Sequence, residues 1–291
     1  MSVQDLPQFE SQRRLMFSIA YRMLGSAADA EDILQEAFLR YQNAREDAIR
    51  SPKAFLSTLV TRLCLNRLES AQVQRETYIG PWLPEPILTN NAVTDAVQQT
   101  ELDESLSMAF LVLLQQLTPL ERAVYLLRQI FDYEYREIAD IIGRDETACR
   151  QLFSRAKKHI SERRPRFRAN QEQQREMLEQ FVAAVRTGEL DGLLQLLSSD
   201  VTLWADGGGK ARGAALHPVH GRDAVARFVI ASPYLVSDSL ESRIALVNRE
   251  ASLLIQVNGQ TRFVVMLSVD ENQIREIRVF GNPNKLKGVK E

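Results

Sequence analysis

Cysteine is almost missing from this 291-residue chain: there are two, Cys64 and Cys149, far apart and in no Cys-x-x-Cys pair. Both fall on helical apolar patterns, so they are expected to be reduced core thiols of a cytosolic protein rather than redox or metal groups. Long apolar runs are missing too. Even residues 106–117 are interrupted by Ser107, Gln115 and Gln116, and a membrane-spanning helix needs roughly 20 apolar residues. The N-terminal stretch carries no basic and apolar signal segment, so a cytoplasmic protein is expected, with no membrane partner. What is present is 45% hydrophobic and 25% charged, a composition that excludes disordered, collagen-like and disulfide-scaffold chains. At about 150 residues per domain, the length implies two or three cores.

The net charge of −2 conceals a segregation. Residues 147–168 hold eight basic side chains against one acid, and residues 50–75 hold five against one, whereas the chain from 170 onward has 14 basic and 15 acidic residues. A basic run alone is usually a solvated helix face, so its placement on an element matters more than its charge.

Apolar residues at helical spacing (Leu15, Met16, Ile19, Met23; Ile33, Leu34, Ala37, Tyr41; Phe55, Leu56, Leu59, Leu63) predict a helical bundle over residues 1–76. Ser51-Pro52 fits the start of its third helix. Three prolines in residues 81–86 then mark a stiff linker within 77–100. Helical spacing resumes at Leu102 and runs to Leu117. Thr118 and Glu121 form a capping box, residues 135–142 make a short helix ended by Gly143, and Asp145 caps a longer basic helix. Two helices joined by a glycine turn, with small Ala139 at their crossing, have the form of a helix-turn-helix. On the second of them Cys149, Leu152, Phe153 and Ala156 should face the core. That leaves Arg150, Gln151, Ser154, Arg155 and Lys158 outward, residue types that contact phosphates and base edges. From 169 to 291, two helices are followed by strand-like runs at 201–205, 243–248, 252–257, 261–269 and 274–280, with a helix at 222–231. This pattern predicts an α+β domain built on a curved antiparallel meander.

Several motifs now carry a family resemblance. The stretch from Ala30 through Glu31, Asp32, Gln35 and Glu36 to Arg40, followed by Pro52 through Asn66, resembles the second conserved region of extracytoplasmic-function sigma factors of bacterial RNA polymerase. The helix-turn-helix over 117–160 resembles their fourth region. Trp82-Leu83-Pro84-Glu85-Pro86, Asp206-Gly207-Gly208-Gly209-Lys210 and Asn282-Pro283-Asn284-Lys285-Leu286 resemble signatures of the SigJ-like type, which carries a fused SnoaL-like domain. At Asn284 the chain departs from that type, where an aspartate is usual.

The resemblance implies a multidomain fold: two all-α sigma domains (1–76 and 101–168, the second with the helix-turn-helix) and an α+β SnoaL-like (NTF2-like) domain over 169–291. It implies core RNA polymerase and promoter DNA as partners and no cofactor, and leaves open an unknown small ligand in the SnoaL-like domain. Asp29, Glu31, Asp32, Gln35 and Glu36 would face the polymerase. Ser57, Thr58, Thr61, Arg62 and Asn66 would lie where the minus-ten element is read and opened, and Thr147, Arg150, Gln151, Ser154, Arg155 and Lys158 where the minus-thirty-five element is read. The motifs at 206–210 and 282–286 are expected to hold the linker at 82–86, with Lys210 in reach of Glu85 and glycines giving the backbone room.

His217 and His220, spaced His-Pro-Val-His, are expected to be loop or domain-contact residues, and no metal site is expected. Asp206, a candidate general base by likeness to SnoaL-like isomerases and cyclases, is expected to be a contact residue instead. Two alternatives stay open: a helix-turn-helix regulator sensing a small ligand in the SnoaL-like cavity, and a SnoaL-like isomerase with a DNA-binding appendage. An acidic helix beside a basic, threonine-bearing one argues for a sigma factor over the first of these.

Overall fold

Apolar stripes and side-chain caps set the helices of the first half. In a computed structural model that describes residues 5–44, 49, 51–89, 105–163, 170–211, 213–232 and 241–289, the first three are α1 (Asp5–Leu24), α2 (Ala27–Gln42) and α3 (Pro52–Glu76). Ser26 caps α2 by accepting the Asp29 N–H at 3.1 Å, and Ser51 caps α3 by accepting from Ala54 at 3.4 Å. Each cap satisfies an amide that the helix leaves without a partner. Met16, Ile19, Tyr21, Leu34, Leu56 and Val60 fill the space between the three helices.

After α4 (Met108–Leu114), Thr118 and Glu121 close the predicted capping box on α5 (Pro119–Tyr125). Beyond Tyr125 the chain stays helical but widens into a π-helical turn at Leu126–Ile130. Next come α6 (Tyr135–Ile142), ended by left-handed Gly143, and α7 (Glu146–Arg163), capped by Asp145, which accepts the Ala148 N–H at 2.8 Å. Val124, Leu127, Ile138, Ile141, Cys149 and Leu152 form the core of this helix-turn-helix. Both cysteines are free and buried, and burial pushes both thiols above their usual pKa. Leu102, Arg50, Arg164, Arg166, Arg168 and the expected boundaries at 100 and 168 lie outside the described residues.

A second compact unit holds the described residues from 77 to 89 and from 170 onward. Here α8 (Gln171–Thr187), capped by Asn170, and α9 (Leu190–Leu196) lead into β1 (Leu197–Asp206), β2 (Val219–His220), α10 (Arg222–Ile230), β3 (Glu241–Val247), β4 (Glu250–Val257), β5 (Gln260–Asp270) and β6 (Gln273–Phe280). Strand order is β2-β1-β6-β5-β4-β3. Strands β3 to β6 form the predicted antiparallel meander, but β6 pairs with β1 in parallel. After β1 the chain adds β2 on the near edge, passes through α10 to β3 at the far edge and walks back strand by strand, so β6 arrives beside β1 running the same way. Phe181, Leu203, Leu253, Val265, Leu267 and Ile277 lie in the core between sheet and helices.

The proline segment is part of this unit. Leu88 pairs antiparallel with Val247, the Thr89 N–H donates to Leu246 O at 2.9 Å, and the Asn248 N–H donates to Ile87 O at 2.9 Å. The C-terminal end of the edge strand β3 is thereby covered.

Candidate functional site

On α2 the apolar stripe Ala30, Ile33, Leu34 and Ala37 is buried, which turns Asp32, Gln35 and Glu36 outward and leaves Asp29 and Glu31 half-buried. Arg67 of α3 bonds Asp29 and lies 3.7 Å from Asp32; the hydrogen bond to Asp29 raises the guanidinium pKa further. Glu36 pairs with Arg40 at 2.6 Å and Glu31 with Arg13 at 2.5 Å. Leu39, one turn beyond Gln35, is 59% exposed. Sequence reasoning passed over it, although an apolar residue off the buried stripe and beside acids was the available signal.

The α3 residues divide by environment. Ser57 and Thr61 are fully buried, Thr58 is half-buried and bonded to its own helix at Ala54 O, and Arg62 and Asn66 are exposed. Ser57 Oγ shares a 2.5 Å hydrogen bond with Tyr133 Oη, and Arg62 donates to Asp140 O and Ile141 O, each at 2.8 Å. Those two carbonyls belong to the last turn of α6, where helix geometry leaves acceptors free and the dipole favours a cation. The helix-turn-helix segment therefore engages Ser57 and Arg62 of α3 within one compact unit.

Thr147, Arg150, Gln151, Ser154, Arg155 and Lys158 all lie exposed on α7. Arg150 pairs with Glu146 at 2.8 Å and stacks 4.5 Å over the Tyr135 ring, Arg155 lies 3.5 Å from Glu121, and Lys158 lies 3.8 Å from Glu162. The Arg150–Glu146 and Lys158–Glu162 pairs are solvent-exposed on both sides and worth about 0–1 kcal/mol each, whereas Glu121 is buried.

The motifs at 82–86, 206–210 and 282–286 meet in one clasp. Asp206, at the end of β1, is buried. One carboxylate oxygen accepts from Tyr78 Oη; the other accepts the Leu83 N–H at 2.8 Å and Lys285 Nζ at 2.6 Å. Lys285 also donates to Leu83 O at 2.5 Å and sits 4.0 Å over the Trp82 ring. Asn282 Nδ2 donates to Tyr78 Oη at 2.7 Å. Gly208, at φ +55°, has no room for a β-carbon against Asn282 and Tyr78, and one on Gly209 would come within 3.0 Å of Ile79. Leu83, Pro84, Glu85 and Pro86 are buried and Trp82 is half-buried.

The expected Lys210–Glu85 pair does not form. A turn closed by the Lys210 N–H on Gly207 O carries Lys210 to an exposed position, and Lys285 supplies the ammonium, to Asp206. Asn284 and Pro283 are exposed. Burial, followed by the bond to Asp206 and its charge, raises the Tyr78 pKa above the usual tyrosine range. No motif in the sequence singles out Tyr78.

The cavity between sheet and α10 is small, about 30 Å³, and lined by groups such as Leu203, Ala205, Phe228, Ile255 and Phe263, with no titratable side chain. That is about one water's worth of space, and it contains no base. His220 Nδ1 lies 3.2 Å from Thr202 Oγ1 and His217 is exposed; among the described residues no three His, Cys, Asp or Glu side chains converge. No described helix is long and apolar enough to cross a membrane.

The chain matches the family Sigma-70 region 2 over residues 8–73 and Sigma-70, region 4 over residues 107–160. It is 34% identical over 294 residues to the ECF RNA polymerase sigma factor SigJ of Mycobacterium tuberculosis (strain ATCC 25618 / H37Rv), covering 98% of this chain and 94% of that protein. To the ECF RNA polymerase sigma factor SigG of the same strain it is 30% identical over 220 residues, 67% of this chain and 59% of that one. The crystal structure of M. tuberculosis SigJ superposes with a TM-score of 0.76 at 33% identity, covering 97% of this chain and 98% of that chain.

Proposed function

Because this chain belongs to the extracytoplasmic-function family of RNA polymerase sigma factors, we propose that it binds core polymerase through α2, reads promoter DNA through α3 and α7, and is regulated in cis by its C-terminal SnoaL-like domain. It acts in the cytoplasm, as a specificity subunit and not as an enzyme. Division of labour follows the boundaries 1–76, 77–100, 101–168 and 169–291. Asp32, Gln35, Glu36 and exposed Leu39 offer an acidic and apolar face to the polymerase. Arg150 and Gln151 serve base edges, while Arg155 and Lys158 serve phosphates. Ser57 and Thr61 reach DNA only after α3 parts from α6, so promoter opening and separation of these helices are coupled.

A single observation carries the regulatory part: the buried Asp206 carboxylate holds the linker by a side chain and a backbone amide at once. A linker so held has less freedom to reposition the segments it joins, and releasing it shifts an equilibrium. Run-off transcription with purified core polymerase, on a promoter from the protein's own gene region, tests both parts. The parent should initiate, Asp206→Asn should change the yield, and truncation after residue 169 should change it while leaving promoter choice intact. No initiation by the parent would remove the sigma assignment. Equal yield from parent, Asp206→Asn and truncated chain would remove the regulatory one.

A further inference from the structure

A second feature of the C-terminal unit borders the clasp and shares Phe263 and Gly281 with the small cavity. The β4–β5 hairpin and the tail after β6 form the walls of an open groove of about 800 Å³, within the roughly 300–1,000 Å³ of small-molecule sites. Its lining includes the cations Lys210, Arg262 and Lys287 and the apolar side chains of Phe263, Pro283 and Leu286, with no aspartate or glutamate. All three cations are exposed, and among the described residues none has a carboxylate partner.

We propose that this groove binds a small amphiphilic anion, a carboxylate, sulfonate or phosphate ester carrying an aromatic or short acyl body. Three like charges around one concavity repel each other, and an anion relieves that repulsion. The apolar floor gives the rest of the molecule a surface to cover. Gly281 keeps the floor close-packed, since a β-carbon there would stand 2.7 Å from the Phe263 ring. Duplex DNA is the poorer occupant, because a phosphate track needs a longer cationic surface than three groups around an apolar hollow. The site shares the tail with the clasp, Pro283 and Lys287 flanking Lys285, yet binding there stands whether or not the clasp regulates transcription.

The full chain is titrated with the fluorescent probe 8-anilino-1-naphthalenesulfonate, alone and against octanoate, octanol or a short DNA duplex. Saturable binding should weaken about tenfold in the triple variant Lys210→Ala, Arg262→Ala, Lys287→Ala, and in Arg262→Glu with an unchanged thermal midpoint. Octanoate should displace the probe and octanol should not. A loss below about fivefold in both variants overturns the site, as does equal displacement by octanol. Displacement by the duplex but not by octanoate overturns it in favour of a nucleic-acid surface.

Discussion

A buried carboxylate is tolerated only when its oxygens are filled, and Asp206 fills them with groups from the linker and the tail rather than with a substrate. This occupancy separates a holding residue from a general base, which needs an oxygen directed at a reacting proton. Tyr78 makes the arrangement pH-dependent. Its phenol donates to Asp206, so ionisation would set one anion against another, and its pKa is raised by burial and by that bond. A group whose folded pKa is raised stabilises the fold fully below its unfolded value, near 10 for tyrosine, and loses that contribution as pH climbs through the folded value. Urea unfolding should therefore show Tyr78→Phe less stable than the parent at neutral pH, with the gap closing above about pH 10. A gap independent of pH would mean that the phenol proton contributes nothing.

Among the elements, α7 carries its chemistry on one face because Cys149, Leu152, Ala156 and Ile160 bury the other. Arg150→Ala should lose about 1–3 kcal/mol on a matched minus-thirty-five duplex and relax the base preference, whereas Lys158→Ala should lower the salt slope by about 1 on any duplex. Uniform loss across sequences in both variants would remove Arg150 from base readout. These local features were legible in the sequence: the Thr118–Glu121 box, Gly143 after α6, and Asp145 before α7 act within a turn of the helix they bound, so neighbouring residues suffice to infer them. The hairpins were legible for the same reason. The parallel β1–β6 pair was not, because nothing near Trp204 or Arg278 in sequence tells which way a strand some seventy residues away runs. The clasp was half legible. Its three motifs were visible, but the choice of Lys285 over Lys210 depends on a glycine turn that reverses the chain, and Tyr78 belongs to no motif.

In the molecule as a whole, the least legible feature is that Ser57 and Arg62, on the α3 face expected to read DNA, are engaged by the helix-turn-helix. Ser57 looks outward in the sequence because its burial depends on Tyr133, 76 positions away. A defect lies one turn from Ser57: Thr61 Oγ1 is buried with no hydrogen-bond partner among the described residues, which costs about 1–3 kcal/mol. Tyr133→Phe extends the defect without touching α3. It leaves the Ser57 hydroxyl buried and unpaired, so the closed arrangement loses about another 1–3 kcal/mol while every α3 and α7 side chain named for DNA stays in place. If opening limits promoter engagement, Tyr133→Phe should lower the thermal midpoint and raise run-off yield at limiting core polymerase, because the competent state is more populated before binding. Thr61→Val, which removes the unpaired hydroxyl at nearly constant volume, should move the midpoint the other way. A lowered midpoint with unchanged or reduced yield in Tyr133→Phe would show that the α3–α6 contact does not compete with the promoter.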